Sequence, residues 1–178
     1  SARYSVLGAT MDRVLRGNKI TDERMAEMLA LLPSVSADGV CRTDIIKPAI
    51  GLILLDVDRK NTTADDAVWH RTLSDAERFL RYALNCQPYD GDIWLRLAMI
   101  RSMEGALPEE LATLFITSQR LAPVHPDTLP ARLRLWPTLD AETQRLTTAQ
   151  RNKDIAMLCA PTGQWMRKQF PNMCAVNR

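Results

Sequence analysis

The chain has 178 residues, 46% of them hydrophobic and 25% charged, with a net charge of +2. That is enough chain to bury a substantial core, and too little net charge to argue for nucleic acid or an acidic membrane as partner. The basic residues, 18 Arg and 5 Lys, are scattered along the sequence rather than gathered in one run.

Helical periodicity dominates throughout, and strands bounded by turn clusters are hard to find. The first predicted helix covers Tyr4 to Leu15 and ends near Gly17-Asn18. The second runs from Asp22 to Leu32, with Thr21 as N-cap, Asp22 and Glu23 on the positive end of the helix dipole, and Pro33 as the stop. Ser34 to Gly39 reads as a loop. A third helix is expected from about Asp44 to Asp58, with Thr43 as a cap and Pro48 awkwardly late for a first turn. Thr63 and Asp66 form a capping-box-like pair that opens a long fourth helix to Cys86, with Ser74 a second candidate start.

Asp90-Gly91 is a turn, and Asp92 to Glu104 is the fifth helix, closed by Gly105. Pro108 at the first helical position opens a sixth, which ends before Pro123. PVHPDTLP reads as a rigid connector. A short helix over Ala131 to Trp136, a longer one over Asp140 to Cys159 and a last one over Gln164 to Phe170 complete the pattern. The expected fold class is all-α, in one folding unit with an N-terminal hairpin at 1–40, paired helices at 41–123 and a C-terminal helical segment at 124–178.

The longest apolar run, residues 45 to 57, is broken by Lys47 and is shorter than the ~20 residues a bilayer span requires. No signal peptide is visible. The chain opens on Ser1-Ala2 without Met, so a mature or truncated form is expected, compatible with a removed signal or N-terminal anchor. Membrane association is expected only through such an anchor.

Little in the sequence points to catalysis. His70 and His125 have no Cys, Asp or Glu at ligand spacing, so no metal or other cofactor is expected. No glycine-rich phosphate loop or nucleophile elbow occurs. The carboxylate pairs Asp65-Asp66 and Glu109-Glu110 lie in first turns, where capping and the helix dipole account for them. Glu104, beside Gly105, is the one carboxylate that loosely fits a helical glycan-acting enzyme.

Cys41, Cys86, Cys159 and Cys174 lack C-x-x-C spacing, which argues against zinc and thioredoxin-type chemistry. Four buried free thiols in a cytosolic protein would be the plain reading. Topology favours pairing. Cys41 stands just before the third helix and Cys86 ends the fourth, and those ends are neighbours in an antiparallel hairpin. Cys159 ends a helix and Cys174 follows the last short one, so the returning chain closes a second loop. Two disulfides imply an oxidising compartment.

Residues 76 to 105 carry a repeat signal. With Pro88 at position 32 of a 34-residue unit, the next unit starts at Gly91, and Trp94, Leu97, Ala98 and Gly105 fall at positions 4, 7, 8 and 15. Ala76, Leu80 and Ala83 precede Pro88 at matching helical offsets. This stretch resembles a tetratricopeptide repeat, although the match weakens on either side and covers about 65 residues. An irregular antiparallel helical bundle is the alternative.

The resemblance implies a short solenoid of stacked helical hairpins that binds a protein partner, a helix or an extended peptide, in a concave groove. The family's groove positions fall on Leu95, Met99 and Ser102, without the basic residues that clamp a peptide carboxylate. With two disulfides, the chain resembles a periplasmic, non-catalytic accessory factor of bacterial cell-envelope polysaccharide synthesis or export. A cytosolic adaptor or secretion chaperone with reduced thiols is the alternative.

Overall fold

The computed structural model describes residues 2–174, and every regular element among them is helical. Packing divides the chain into two units, Ser1–Pro88 and Tyr89–Arg178.

The first unit is organised around one buried helix. A 3-10 turn, Ala2–Tyr4, leads into α1, Ser5–Leu15, which is ended by Gly17 at φ +85°, a left-handed conformation that glycine adopts without a Cβ penalty. Helix α2, Asp22–Leu29, is capped as expected, the Thr21 hydroxyl accepting from the Arg24 N–H. It is shorter than predicted. Pro33 does not stop a helix but lies in the first turn of another, α3, Leu32–Ala37, so most of the predicted loop is helical. The first turn is where a missing N–H costs nothing, and a proline there looks the same in sequence as a proline after a helix end.

Helix α4, Thr43–Lys60, tolerates Pro48 in its interior, and Thr43 is its first residue rather than its cap. Ile45, Ile46, Ala49, Ile50, Leu52, Ile53 and Val57 of α4 are all buried, and α1, α2 and α5 pack around it. At about 1.5–3 kcal/mol for each large aliphatic side chain removed from water, that burial outweighs the cost of one interior proline. The longest apolar run is thus a core helix, and among the described residues no helix is long and apolar enough to cross a membrane.

Helix α5, Asp66–Cys86, runs unbroken through Ser74. Its cap is Asp65, which accepts from the Val68 N–H, whereas the Thr63 hydroxyl donates back to the Arg59 carbonyl.

The second unit begins with a helix pair. Asp90 caps α6, Gly91–Met103, and Gly105 at φ +74° closes it; Pro108 then opens α7, Pro108–Leu121. Gly91 sits against the end of α7, where a Cβ would lie 2.7 Å from Cβ of Ala122 and 2.9 Å from the Ser118 carbonyl oxygen. No larger residue fits that approach without displacing backbone.

The predicted connector gives way early to α8, Thr128–Leu135, followed by a 3-10 turn, Trp136–Thr138. The single long helix expected over residues 140–159 is two: α9, Ala141–Leu146, and α10, Thr148–Cys159, which meet at Thr147. The Thr147 hydroxyl donates to the Thr143 carbonyl and that of Thr148 to the Gln144 carbonyl. Such back-bonding competes with the helical ladder and bends it. The last helix, expected over Gln164 to Phe170, is not α-helical: a 3-10 turn, Pro161–Gly163, precedes that stretch and a second, Arg167–Gln169, lies within it.

Both expected disulfides are formed. Cys41 pairs with Cys86 at a Cα separation of 5.2 Å, and Cys159 with Cys174 at 5.6 Å. They point to an oxidising, extracytoplasmic environment.

The most heavily bonded group of the second unit has no signature in the sequence. Arg132 and Asp154 have no exposed side-chain surface and form a two-point ion pair, Nε to Oδ2 at 2.7 Å and Nη2 to Oδ1 at 2.9 Å. The other guanidinium hydrogens go to the Ser118 hydroxyl and to the carbonyls of Ala122 and Pro123, and the Trp136 indole N–H donates to Asp154. All five arginine donors are thereby used, the condition under which a buried charge is tolerable.

Candidate functional site

A trough of about 720 Å³ opens in the first unit. Its floor is one face of α4, where Ile53, Asp56, Val57 and Lys60 recur at helical spacing. One wall is α5, through Val68, Thr72, Ala76 and Phe79. The other is α2 with α3, through Ala26, Leu29, Ala30 and Pro33. Alanines on facing walls keep the side chains short, and that leaves the space between the helices unfilled.

The polar groups in the trough are satisfied internally. The Thr72 hydroxyl donates to the Val68 carbonyl at 2.9 Å, leaving its methyl as the part free for apolar contact. The Tyr82 hydroxyl donates to the Val35 carbonyl at 3.3 Å, and burial pushes its phenol upward, so it stays neutral at ordinary pH. Asp56 is only 7% exposed and accepts from Lys60 at 2.8 Å. At the rim, Arg78 pairs with Asp75 at 3.1 Å, while Arg71 makes no ion pair among the described residues. The result is an apolar channel with a cationic lip. It offers no poised nucleophile or acid–base pair; it offers a seat.

The residues singled out from the sequence lie elsewhere. Leu95 has no exposed surface and belongs to the core of the second unit, so of the three groove positions only Met99 and Ser102 meet solvent, both partly. Met99 is further covered by Arg96, whose guanidinium approaches its sulfur at 3.6 Å. Glu104 does not face an apolar cleft. Arg101 bridges it, at 2.8 Å, to Glu110, at 2.7 Å, which ties the end of α6 to the start of α7.

His70 is exposed, and His125 contacts Thr128 and the Asp127 N–H. Among the described residues no three His, Cys, Asp or Glu side chains gather closely enough to hold a metal ion.

Sequence reasoning missed the trough because four separate helices build it. The available signals were faint: Ala26 and Ala30 one turn apart on a polar helix, and Asp56 inside an apolar run.

No family model, no curated protein and no solved structure matches this chain.

Proposed function

We propose that the protein is a non-catalytic interaction scaffold of the bacterial cell envelope, working in the periplasm, and that the trough of its first unit seats an amphipathic helix of a partner protein. The observation that carries this reading is the trough itself. Stripes of α2, α3, α4 and α5 enclose a channel of about 720 Å³ that is apolar apart from the Asp56–Lys60 ion pair, and its buried polar groups already have partners. Short side chains on both walls suit the close approach of another helix. The lip supplies direction: Arg71, which makes no ion pair among the described residues, favours an acidic residue or a terminal carboxylate on the incoming segment.

The periplasmic part of the reading draws on the two disulfides. The resemblance of residues 76–105 to tetratricopeptide repeats extends it to an accessory factor of polysaccharide synthesis or export. In support, α6 starts at Gly91 and is closed by Gly105, and Gly91 supplies the small residue at the contact with α7. We take α6 and α7 as one repeat-like hairpin of a short solenoid.

Photo-crosslinking in the native host tests the proposal. A benzophenone side chain at Ala30 should give one discrete protein adduct, weakened by Arg71→Glu and lost when Ala76→Arg blocks the trough. The absence of any protein adduct from a correctly folded, oxidised variant would sink the reading.

A further inference from the structure

A second cavity, of about 690 Å³, lies in the second unit beside the Cys159–Cys174 bridge. Its floor is apolar, presenting Pro137, Ile155, Ala156 and Met173 to solvent over the buried Leu133 and Trp136. Its polar lining is of one chemical kind: the side-chain amides of Gln144, Asn152 and Asn172, together with a single charge, Arg151. The Gln144 amide nitrogen is committed to the Leu139 carbonyl at 2.8 Å, which leaves its oxygen as an acceptor. Asn152, Asn172 and Arg151 are exposed and make no hydrogen bond or ion pair among the described residues. The size is within the roughly 300–1,000 Å³ range of ligand pockets, and a mostly apolar lining with a few convergent polar groups is their usual composition.

The surroundings carry an electrostatic signature. After Glu142 the sequence holds one acidic residue, Asp154, and that carboxylate is buried under Arg132. The same stretch carries Arg145, Arg151, Lys153, Arg167, Lys168 and Arg178, the last outside the described residues. Arg145 is paired with Glu142, and Arg167 is spent on the carbonyls of Leu158, Cys159 and Ala160 at the end of α10. Arg151, Lys153 and Lys168 remain, with no exposed carboxylate to balance them among described residues 143–174. Arg134 joins the disulfide-closed loop, donating to Gln169 and lying 5.5 Å from the centre of the Phe170 ring. Trp165, in that loop, is 55% exposed.

We propose that this cavity binds an acidic oligosaccharide, with Arg151 engaging a sugar carboxylate, the three amides meeting hydroxyls, and the apolar floor taking a sugar C–H face. Amides donate and accept in fixed geometry, as hydroxyl recognition requires, and a guanidinium matches a carboxylate at two points. An anionic lipid surface would be drawn by the cations, but would gain nothing from a cavity lined by amides. The proposal is independent of the trough in the first unit and of any protein partner there.

The test uses the purified, oxidised chain and tri-galacturonate as probe, read by the fluorescence of Trp136 and Trp165 and by calorimetry. Binding is expected, weakening as salt rises, while maltotriose does not compete. Arg151→Ala and Asn172→Leu should each weaken it at least tenfold with unchanged circular dichroism and melting. Lys19→Ala, in the first unit, should leave it unchanged. No binding of tri-galacturonate at millimolar concentration overturns the proposal. So does binding that Arg151→Ala leaves intact, or phosphatidylglycerol vesicles binding in an Arg151-dependent way when the oligosaccharide does not.

Discussion

The two units hold themselves together by different means. The first has a central helix whose buried face is apolar but for Asp56, and its disulfide joins residues 45 positions apart, tying the start of α4 to the end of α5. The second closes a disulfide over only 15 positions and relies on a buried ion pair, Arg132 with Asp154, whose partners come from α7, α8, α10 and the turn at Trp136. The first is bound by hydrophobic burial and a long covalent loop, the second by geometry that only a complete hydrogen-bond set permits. An apolar core forgives small rearrangements, whereas a buried charge with all five donors used does not. Sensitivity to single substitutions should therefore concentrate in the second unit, and sensitivity to reductant in the first.

The largest expected effect is at the ion pair. Asp154→Ala strands a buried guanidinium and should cost on the order of 3–5 kcal/mol in denaturant unfolding. The double change Arg132→Met with Asp154→Leu should recover much of that loss, because an apolar pair leaves no charge uncompensated. Equal damage from the double and single variants would mean that the network contributes more than compensation of its own charge.

The disulfides come next. In the chain-entropy view, a loop of 45 positions contributes about 4 kcal/mol and one of 15 about 3 kcal/mol. Cys41→Ser and Cys86→Ser should lower the melting temperature equally, and both should exceed Cys159→Ser. The reverse order would move the greater sensitivity to reductant into the second unit.

A packing test of the first unit is smaller. Ala83 on α5 has no exposed surface, and Ala83→Leu should cost roughly 1–3 kcal/mol by overpacking. A neutral result would mean that the apolar core gives way more readily than its burial implies.

The smallest expected effect belongs to a helix cap in the second unit. The hydroxyl and then the N–H of Thr143 hold the Asp140 carboxyl below the usual carboxylate range. A lowered folded-state value stabilises above the ordinary carboxylate pKa and fades as pH falls through it. Asp140→Ala should therefore lower the melting temperature slightly at neutral pH, with the gap from the parent closing in acid. A gap that widens in acid would contradict the assignment.

How much of this was legible in the sequence follows from the range of each interaction. Thr21, Pro108 and Gly105 announce their helix ends because capping acts within one turn. The cysteines could be paired because Cys41, Cys86 and Cys159 each lie at or beside the end of a predictable helix, which leaves Cys174 on the returning chain for Cys159. Pro33 misled, since a proline in a first turn and a proline after a helix are the same local pattern. The break at Thr147 depends on hydroxyls choosing carbonyls over the helical ladder, which adjacent threonines allow but do not dictate. Arg132 and Asp154 lie 22 positions apart, and nothing local marks them as partners. The trough was hidden for the same reason: its walls meet only after the helices pack.

The central claim is that this is a disulfide-bonded protein of an oxidising compartment, and the most direct test is a non-reducing peptide map with thiol counting on native protein. The account predicts no titratable thiol and two linked peptide pairs, Cys41 with Cys86 and Cys159 with Cys174. Four free thiols, or crossed pairs between the two units, would contradict it.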